Sequence, residues 1–258
     1  VVAAMSLSST LLVATAAALA PPSALHVSRE RKMNAARHAA DAAQSRATFG
    51  APVALRQPDA MPWRVAARVR GAPVLELQEA APRAVARRIV REAEAHWATT
   101  RGGASSRFSM VEGLADCHVA ALPRTKRWLA AFAARRGAGA ATGVPEAANT
   151  SSFFIYDALV VKYAPGLAAD GRSGQPVHRD YATLTLNLAL SDAEDFEGGG
   201  TRFEGRDGVV RPARAGACVA HAGRTRHAGA ATTSGTRYVL VCFLLDVEAD
   251  ASRLVDRP

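Results

Sequence analysis

The chain is short of cysteine, lysine and aromatic residues, and each shortage closes off a class of explanation. Its three cysteines, Cys117, Cys218 and Cys242, form no CxxC pair and cannot make a disulfide framework. Cys218 and Cys242 lie in apolar runs and read as buried small hydrophobes. Lysine occurs only at Lys32, Lys126 and Lys162, so arginine carries nearly all of the positive charge behind the formal net +9. That excess is lopsided: residues 1–75 hold nine Arg/Lys against three Asp/Glu, and the remainder holds 23 against 20. The folded part is thus only mildly basic, and the basic N-terminal part lacks interleaved aromatics, so no nucleic-acid partner is expected. No repeat is visible. With 258 residues, 49% hydrophobic and 21% charged, the composition is that of an ordinary globular chain. It excludes a wholly disordered chain, a collagen-like polymer and a polytopic membrane protein.

Charge is missing altogether from residues 1–28, which contain no Asp, Glu, Lys or Arg. Within them the run Leu11–Ala20 precedes Pro21-Pro22 and ends in Ala18-Leu19-Ala20. It has the form of a secretory apolar region with its cleavage site, or of a weakly apolar signal anchor. Residues 29–50 are Arg- and Ala-bearing and acid-poor, which also suits an organellar transit peptide. The expectation is a secretory-pathway or endoplasmic-reticulum location, with an organelle as the alternative and a disordered tail as the plain structural reading. Membrane contact is expected only through such an anchor.

Residues 50–75 carry four prolines and no clear period, and read as a linker. Val85, Ile89, Val90, Ala93 and Trp97 then recur at three and four residues, which predicts an amphipathic helix ending near Arg101-Gly102-Gly103. A second helix is predicted over Pro123–Arg136, with Trp128, Leu129, Phe132 and Ala133 on one face, and a Gly/Ala-rich loop over 137–149. Beyond residue 150 the text becomes strand-like: Phe153–Tyr163, Thr183–Leu190, Gly200–Glu204, Ala217–His221 and Arg237–Leu245, separated by Gly, Asp and Ser clusters. The expected organisation is a signal- or anchor-like, basic and disordered segment over 1–50, a linker with supporting helices over 51–149, and a strand-built core over 150–258. The class is α+β, with a sandwich or barrel core.

Of seven histidines, His178, His221 and His227 fall in the strand region. His178-Arg179-Asp180 sets an imidazole and a carboxylate two residues apart, on one side of an extended chain. A second histidine from a later strand would complete two His and one carboxylate, the set that holds non-haem Fe(II) on one face and leaves the other open. Three residues further on, Thr183-Leu184-Thr185-Leu186-Asn187-Leu188-Ala189-Leu190 alternates without error. Its leucines make one apolar face; Thr183, Thr185 and Asn187 make a polar one that can floor the same site.

These blocks, followed by Phe196-Glu197-Gly198-Gly199-Gly200-Thr201-Arg202-Phe203, His221-Ala222-Gly223-Arg224, His227-Ala228-Gly229 and Ser234-Gly235-Thr236-Arg237-Tyr238, resemble the 2-oxoglutarate- and Fe(II)-dependent dioxygenases. Within that superfamily they are most similar to the catalytic domain of procollagen lysyl hydroxylases, beside the prolyl 4-hydroxylases. The resemblance covers roughly 153–246. It implies a double-stranded β-helix, a jelly roll with the N-terminal helices packed on one sheet. It implies His178, Asp180 and His227 as metal ligands. His227 stands in an H-x-G ten residues before the arginine of Gly235-Thr236-Arg237-Tyr238, and His221 matches a separate upstream histidine. It implies Arg237 as the grip on the distal carboxylate of 2-oxoglutarate. That agrees with the cost of burying an arginine at the head of an apolar strand without an anion. Tyr163 is implied beside the cosubstrate, with Thr185 and Asn187 as further pocket candidates. Gly198-Gly199-Gly200 lacks the Lys-Ser/Thr of a phosphate loop and reads as a tight turn near the pocket mouth.

The implied activity is hydroxylation of an aliphatic C–H on a Lys or Pro side chain of a peptide or protein, using O2 and releasing succinate and CO2. Ascorbate is implied as the agent that keeps the iron reduced. Two alternatives stay open: the same chemistry on a free amino acid or small metabolite, and a jelly-roll binding module with a silent site. The segments Gly166–Gln175 and Asp192–Glu197 are expected around the mouth, where specificity resides.

Overall fold

The computed structural model describes residues 40, 43–50, 52–54, 63–100, 114–147, 152–165, 167 and 173–246. The signal, anchor or transit call on residues 1–28 lies outside them. The disordered segment expected up to residue 50 does not extend through its end: residues 43–49 are helical, Ser45 Oγ donates to the Ile155 carbonyl, and Phe49 packs on the core.

The strands are β1 (Val53–Ala54), β2 (Arg64–Val69), β3 (Ala72–Leu77), β4 (Ala115–His118), β5 (Ser152–Tyr163), β6 (Leu184–Ala189), β7 (Phe196–Gly198), β8 (Thr201–Phe203), β9 (Cys218–Ala222), β10 (His227–Gly229), β11 (Thr232–Gly235) and β12 (Arg237–Asp246). Two helices, α1 (Arg83–Thr99) and α2 (Pro123–Gly143), lie among them. The large sheet runs β1-β5-β12-β6-β9-β3-β2, with β4 also on β5, and two short ladders, β10-β8 and β11-β7, stand apart. The ladders are antiparallel. The molecule is a mixed helix and sheet fold.

The helices cover one face of the large sheet. Ile89, Ala93 and Trp97 of α1 and Leu129, Phe132 and Ala133 of α2 share one core with Ile155, Val160, Leu184, Leu186, Leu188 and Leu240. The three leucines of β6 are fully buried there, so their alternation marks the helix-covered face. Each such side chain contributes about 1.5–3 kcal/mol. Cys117, Cys218 and Cys242 are free thiols buried in the same core, and burial pushes the Cys117 thiol up to about 12. A register shift opposite Phe243/Leu244 inserts one extra residue into β5, so Tyr156, Leu159, Val161 and Tyr163 face away from the helices.

Two expectations need correction. The linker over 50–75 is, from Arg64 onward, a β-hairpin in the large sheet. Its turn is Arg70-Gly71, both at positive φ (48° and 87°), the geometry of the two-residue hairpin turn. Pro73 is tolerated because β9 reaches β3 only over Leu75–Leu77. The sheet therefore draws strands from both sides of residue 150. The Gly/Ala loop over 137–149 is instead, to Gly143, a continuation of α2, in line with the helix preference of alanine. Glycine also lets the helix lie close to the sheet: a Cβ at Gly143 would stand 2.6 Å from Leu75 Cδ1. The stop at Arg101-Gly102-Gly103 lies outside the described residues. Among those described, no helix is long and apolar enough to cross a membrane.

The N-terminus of α2 is capped by the other helix. The Glu92 carboxylate of α1 accepts from the Arg124 and Thr125 backbone N–H groups, each at 2.9 Å, and from Thr125 Oγ1 at 2.7 Å. Burial opposes its charge, but these bonds hold the carboxyl below its ordinary 4.5. Glu92→Ala is expected to cost about 1–2 kcal/mol in urea unfolding at neutral pH. A carboxyl with a depressed folded pKa stabilises fully above its unfolded value and loses that contribution as pH falls through the folded one. The gap between wild type and variant should therefore narrow below about pH 4.5; a gap independent of pH would contradict this cap.

Candidate functional site

The open face of the sheet carries a cavity of about 410 Å³. Its walls include Tyr156, Leu159, Val161, Val239, Val241 and Phe243 from β5 and β12. His178, Asp180, Asn187, His227, Tyr163 and Arg237 supply its polar groups.

His178 and His227 are neighbours through a backbone pair: the His178 N–H donates to the His227 carbonyl at 2.8 Å, and the reverse bond is 2.9 Å. The Asp180 N–H donates to the Gly223 carbonyl at 2.9 Å, which fastens the His178–Asp180 segment to the turn before β10. Both imidazoles then donate Nδ1–H to a carbonyl, His178 to Pro176 at 2.8 Å and His227 to Thr225 at 2.9 Å. That fixes the ring orientations and turns both Nε2 atoms toward the same carboxylate. His178 Nε2 is 3.4 Å from Asp180 Oδ1, and His227 Nε2 is 3.6 Å from Oδ2. The three donor atoms lie within 4.8 Å of one another. His178, Asp180 and His227 would hold a divalent ion if the three donors drew closer together.

The electrostatics suit a cation. Burial works to raise the Asp180 pKa, but facing His227 and the His178 hydrogen bond outweigh it and hold the carboxyl far below its usual range. Burial alone would lower the His178 pKa; the hydrogen bond and charge of Asp180 raise it instead. His227 is lowered, chiefly by burial.

His221 stands apart from this group. It is fully buried on β9, donates Nδ1–H to the Ala222 carbonyl at 2.9 Å, and accepts the Asn187 amide at Nε2, 3.2 Å away. Burial, reinforced by His227, lowers its pKa to about 4, so it stays neutral. Its ring packs against His227 at 4.6 Å between centroids.

Arg237 opens β12 directly opposite Tyr163 of β5. Its guanidinium lies 4.8 Å from the Tyr163 ring centroid, and Nη1 is buried without a hydrogen-bond partner. A buried guanidinium nitrogen left unsatisfied in a cavity wall has hydrogen-bonding capacity to spare for an anion. The glycine turn, with φ of 70°, 64° and 96° at Gly198, Gly199 and Gly200, leans on the same arginine: a Cβ at Gly199 would stand 2.9 Å from Arg237 Cδ.

Of the two further pocket candidates, Asn187 borders the cavity and Thr185 does not. Thr185 is fully buried and donates its hydroxyl to Asp180 Oδ2 at 2.7 Å; it does not border the cavity. Asn187 borders the cavity and is tied to His221. Of the expected mouth segments, Gln175 lines the cavity, residues 166 and 168–172 lie outside the described part, and Phe196 borders a small pocket that shares Arg237 with the cavity. Tyr156, Tyr181 and Arg179 were not anticipated as lining residues. The period-2 placement of Tyr156 is hidden by the extra residue in β5.

No family model matches the chain. Procollagen-lysine,2-oxoglutarate 5-dioxygenase 1 of Rattus norvegicus is 42% identical over 90 residues, 34% of this chain and 12% of that protein. The multifunctional procollagen lysine hydroxylase and glycosyltransferase LH3 of Homo sapiens is 42% identical over 89 residues, 33% of this chain and 12% of that protein. The chain thus spans about an eighth of the length of these relatives. The epimerase SnoN, solved in complex with Fe3+, alpha ketoglutarate and nogalamycin RO, has a TM-score of 0.52 at 20% identity, over 76% of this chain and 89% of that one. Over about a third of its length the chain is similar in sequence to enzymes of the 2-oxoglutarate/Fe(II)-dependent dioxygenase superfamily. Its likeness to the superfamily's lysyl hydroxylases is one of local sequence, and its likeness to SnoN is one of fold.

Proposed function

We propose that the chain is an Fe(II)- and 2-oxoglutarate-dependent dioxygenase that hydroxylates an aliphatic C–H of a peptidyl lysine or proline. The observation that carries this reading is a single cavity in which two Nε2 atoms and a carboxylate converge while a buried, unpaired guanidinium nitrogen waits in the wall. His178, Asp180 and His227 would hold the iron on one side. Arg237 would take the distal carboxylate of 2-oxoglutarate, with Tyr163 flanking the guanidinium. Bound there, iron and 2-oxoglutarate supply the oxidative chemistry: O2 is reduced, the oxo acid gives succinate and CO2, and one oxygen enters the C–H bond. The apolar wall of Leu159, Val161, Val239 and Val241 keeps water from the reacting face.

The core of this proposal is a double-stranded β-helix, formed by the large sheet with the two short ladders facing it. The peptide substrate is supported by the procollagen-lysine enzymes matched at 42% identity. Ascorbate as reductant and entry into the secretory pathway belong to the same proposal, resting on that likeness and, for location, on the apolar run at 11–20. The test is succinate release from 2-oxoglutarate in the presence of lysyl and prolyl peptides, with mass spectrometry of the peptides. Fe(II)-dependent succinate with one oxygen gained on the peptide is expected; no succinate with any peptide would remove the proposal.

Thr185 is a positioning residue in this scheme, because its hydroxyl holds one oxygen of the proposed carboxylate ligand. Thr185→Val keeps the shape and loses the bond. Metal affinity should fall by about 10–100-fold in a Mn(II) titration, with thermal stability nearly unchanged. Unchanged affinity would show that Asp180 needs no such support.

A further inference from the structure

Arg237 is the first residue of β12 and Tyr163 the last of β5, and the two are opposite each other in the ladder. Strand ends are where a ladder opens most readily. The next pair inward is Tyr238 and Lys162. Neighbouring residues of a strand point to opposite faces. Arg237 and Tyr163 thus line the cavity, while Tyr238 and Lys162 reach toward α1 on the other side of the sheet.

One carboxylate gathers both of those side chains. Glu94 Oε1 of α1 accepts from Lys162 Nζ at 2.8 Å and from the Tyr238 hydroxyl at 2.6 Å. Burial works against the Glu94 charge, yet these two bonds hold its carboxyl below the ordinary 4.5. Trp97, three residues further along α1, completes the group: its ring stacks on Tyr238 at 6.4 Å between centroids. The Lys162 ammonium stands 5.7 Å from the Trp97 ring and 5.6 Å from the Tyr238 ring. Trp97 is itself tied to the sheet, through Nε1–H to the Asp116 carbonyl at 3.1 Å.

The backbone at this strand end is fastened as well. Ser191 Oγ donates to the Thr236 carbonyl at 3.3 Å and accepts the Tyr238 N–H at 2.9 Å, so it bonds on both sides of Arg237. The guanidinium has one unpartnered buried nitrogen, so its aim depends on how firmly the strand end beneath it is held.

We propose that Glu94 is a positioning residue for the cosubstrate grip: by holding Lys162 and Tyr238 behind the sheet, it keeps Arg237 and Tyr163 aimed into the cavity. This rests on the proposed dioxygenase reading, in which Arg237 takes the distal carboxylate of 2-oxoglutarate, and adds to it a residue on the opposite face of the sheet.

The test reads binding, not turnover. The full chain loaded with Mn(II) is titrated calorimetrically with 2-oxoglutarate, and Mn(II) affinity and the thermal midpoint are measured separately. Glu94→Ala should weaken 2-oxoglutarate by about tenfold and leave Mn(II) affinity unchanged. Tyr238→Phe keeps the ring on Trp97 and loses one bond, so it should lose less. Glu94→Gln keeps an accepting oxygen and should recover most of the affinity. Glu92→Ala makes the same change two residues away on α1, where the carboxylate caps α2; it should leave 2-oxoglutarate affinity unchanged. Unchanged affinity in Glu94→Ala overturns the proposal. So does an equal loss in Glu92→Ala, which would mean general loosening of α1. Binding that needs Arg237 but not Glu94 removes the positioning role alone. No 2-oxoglutarate binding by the wild type, or binding indifferent to Arg237→Ala, removes the cosubstrate assignment and the positioning role with it.

Discussion

His227→Ala is expected to abolish Fe(II)-dependent succinate formation, whereas His221→Ala should retain a measurable fraction. The two histidines lie 4.6 Å apart by ring centroid, yet the hydrogen bonds give them different work. His227 turns its Nε2 to Asp180, while the Nε2 of His221 is already occupied by the Asn187 amide. Under the proposed assignment, His227→Ala removes one of the three metal donors. Removing His221 takes away a neutral buffer behind the His227 ring, and changes behind a ligand typically cost about 10–100-fold. Mn(II) affinity should follow the same order as succinate formation. Equal and complete loss in both variants would mean that His221 is a ligand, and that the assignment of the distal histidine is wrong.

Arg237→Ala is expected to leave metal binding nearly intact and to raise the apparent KM for 2-oxoglutarate steeply. The arginine is buried, has an unpaired nitrogen, and lines the same cavity as His178, Asp180 and His227. Losing one partner of a buried, hydrogen-bonded charge pair costs about 2–5 kcal/mol, on the order of 30- to several-thousand-fold in affinity. Arg237→Lys falls between, since an ammonium keeps the charge and loses the two-pronged geometry. The measurement is succinate against 2-oxoglutarate at fixed Fe(II), with Mn(II) binding followed separately. An unchanged KM in Arg237→Ala would detach the cosubstrate from this cavity.

The parts of the site that were legible in the sequence are those governed by short-range periodicity. His178 and Asp180 fall together because alternate residues of an extended chain share a side, and Leu184, Leu186 and Leu188 mark the buried face of β6 for the same reason. Periodicity chooses a face but not a contact. It could not say that Thr185 reaches the Asp180 carboxylate while Asn187, two residues on, borders the cavity. The β2–β3 hairpin was hidden because a proline inside a run argues against a strand, and only the short reach of β9 makes Pro73 harmless. The end of α2 was hidden because Gly137 and Gly143 read as breakers; their use is close approach to Leu244 and Leu75, a property of the packed sheet. Arg179 reads as a solvated charge between His178 and Asp180. Its place beside Arg224 and Arg226 depends on the ties from Asp180 to Gly223 and from His178 to His227, which join segments more than forty residues apart.

The central claim is that one cavity binds the metal through His178, Asp180 and His227 and the cosubstrate through Arg237. Anaerobic calorimetric titration of the Fe(II)-loaded chain with 2-oxoglutarate tests it most directly. The account predicts saturable binding at one equivalent, strongly weakened in Arg237→Ala with iron still bound, and lost in Asp180→Ala together with the iron. Binding of 2-oxoglutarate that is indifferent to both substitutions would contradict it.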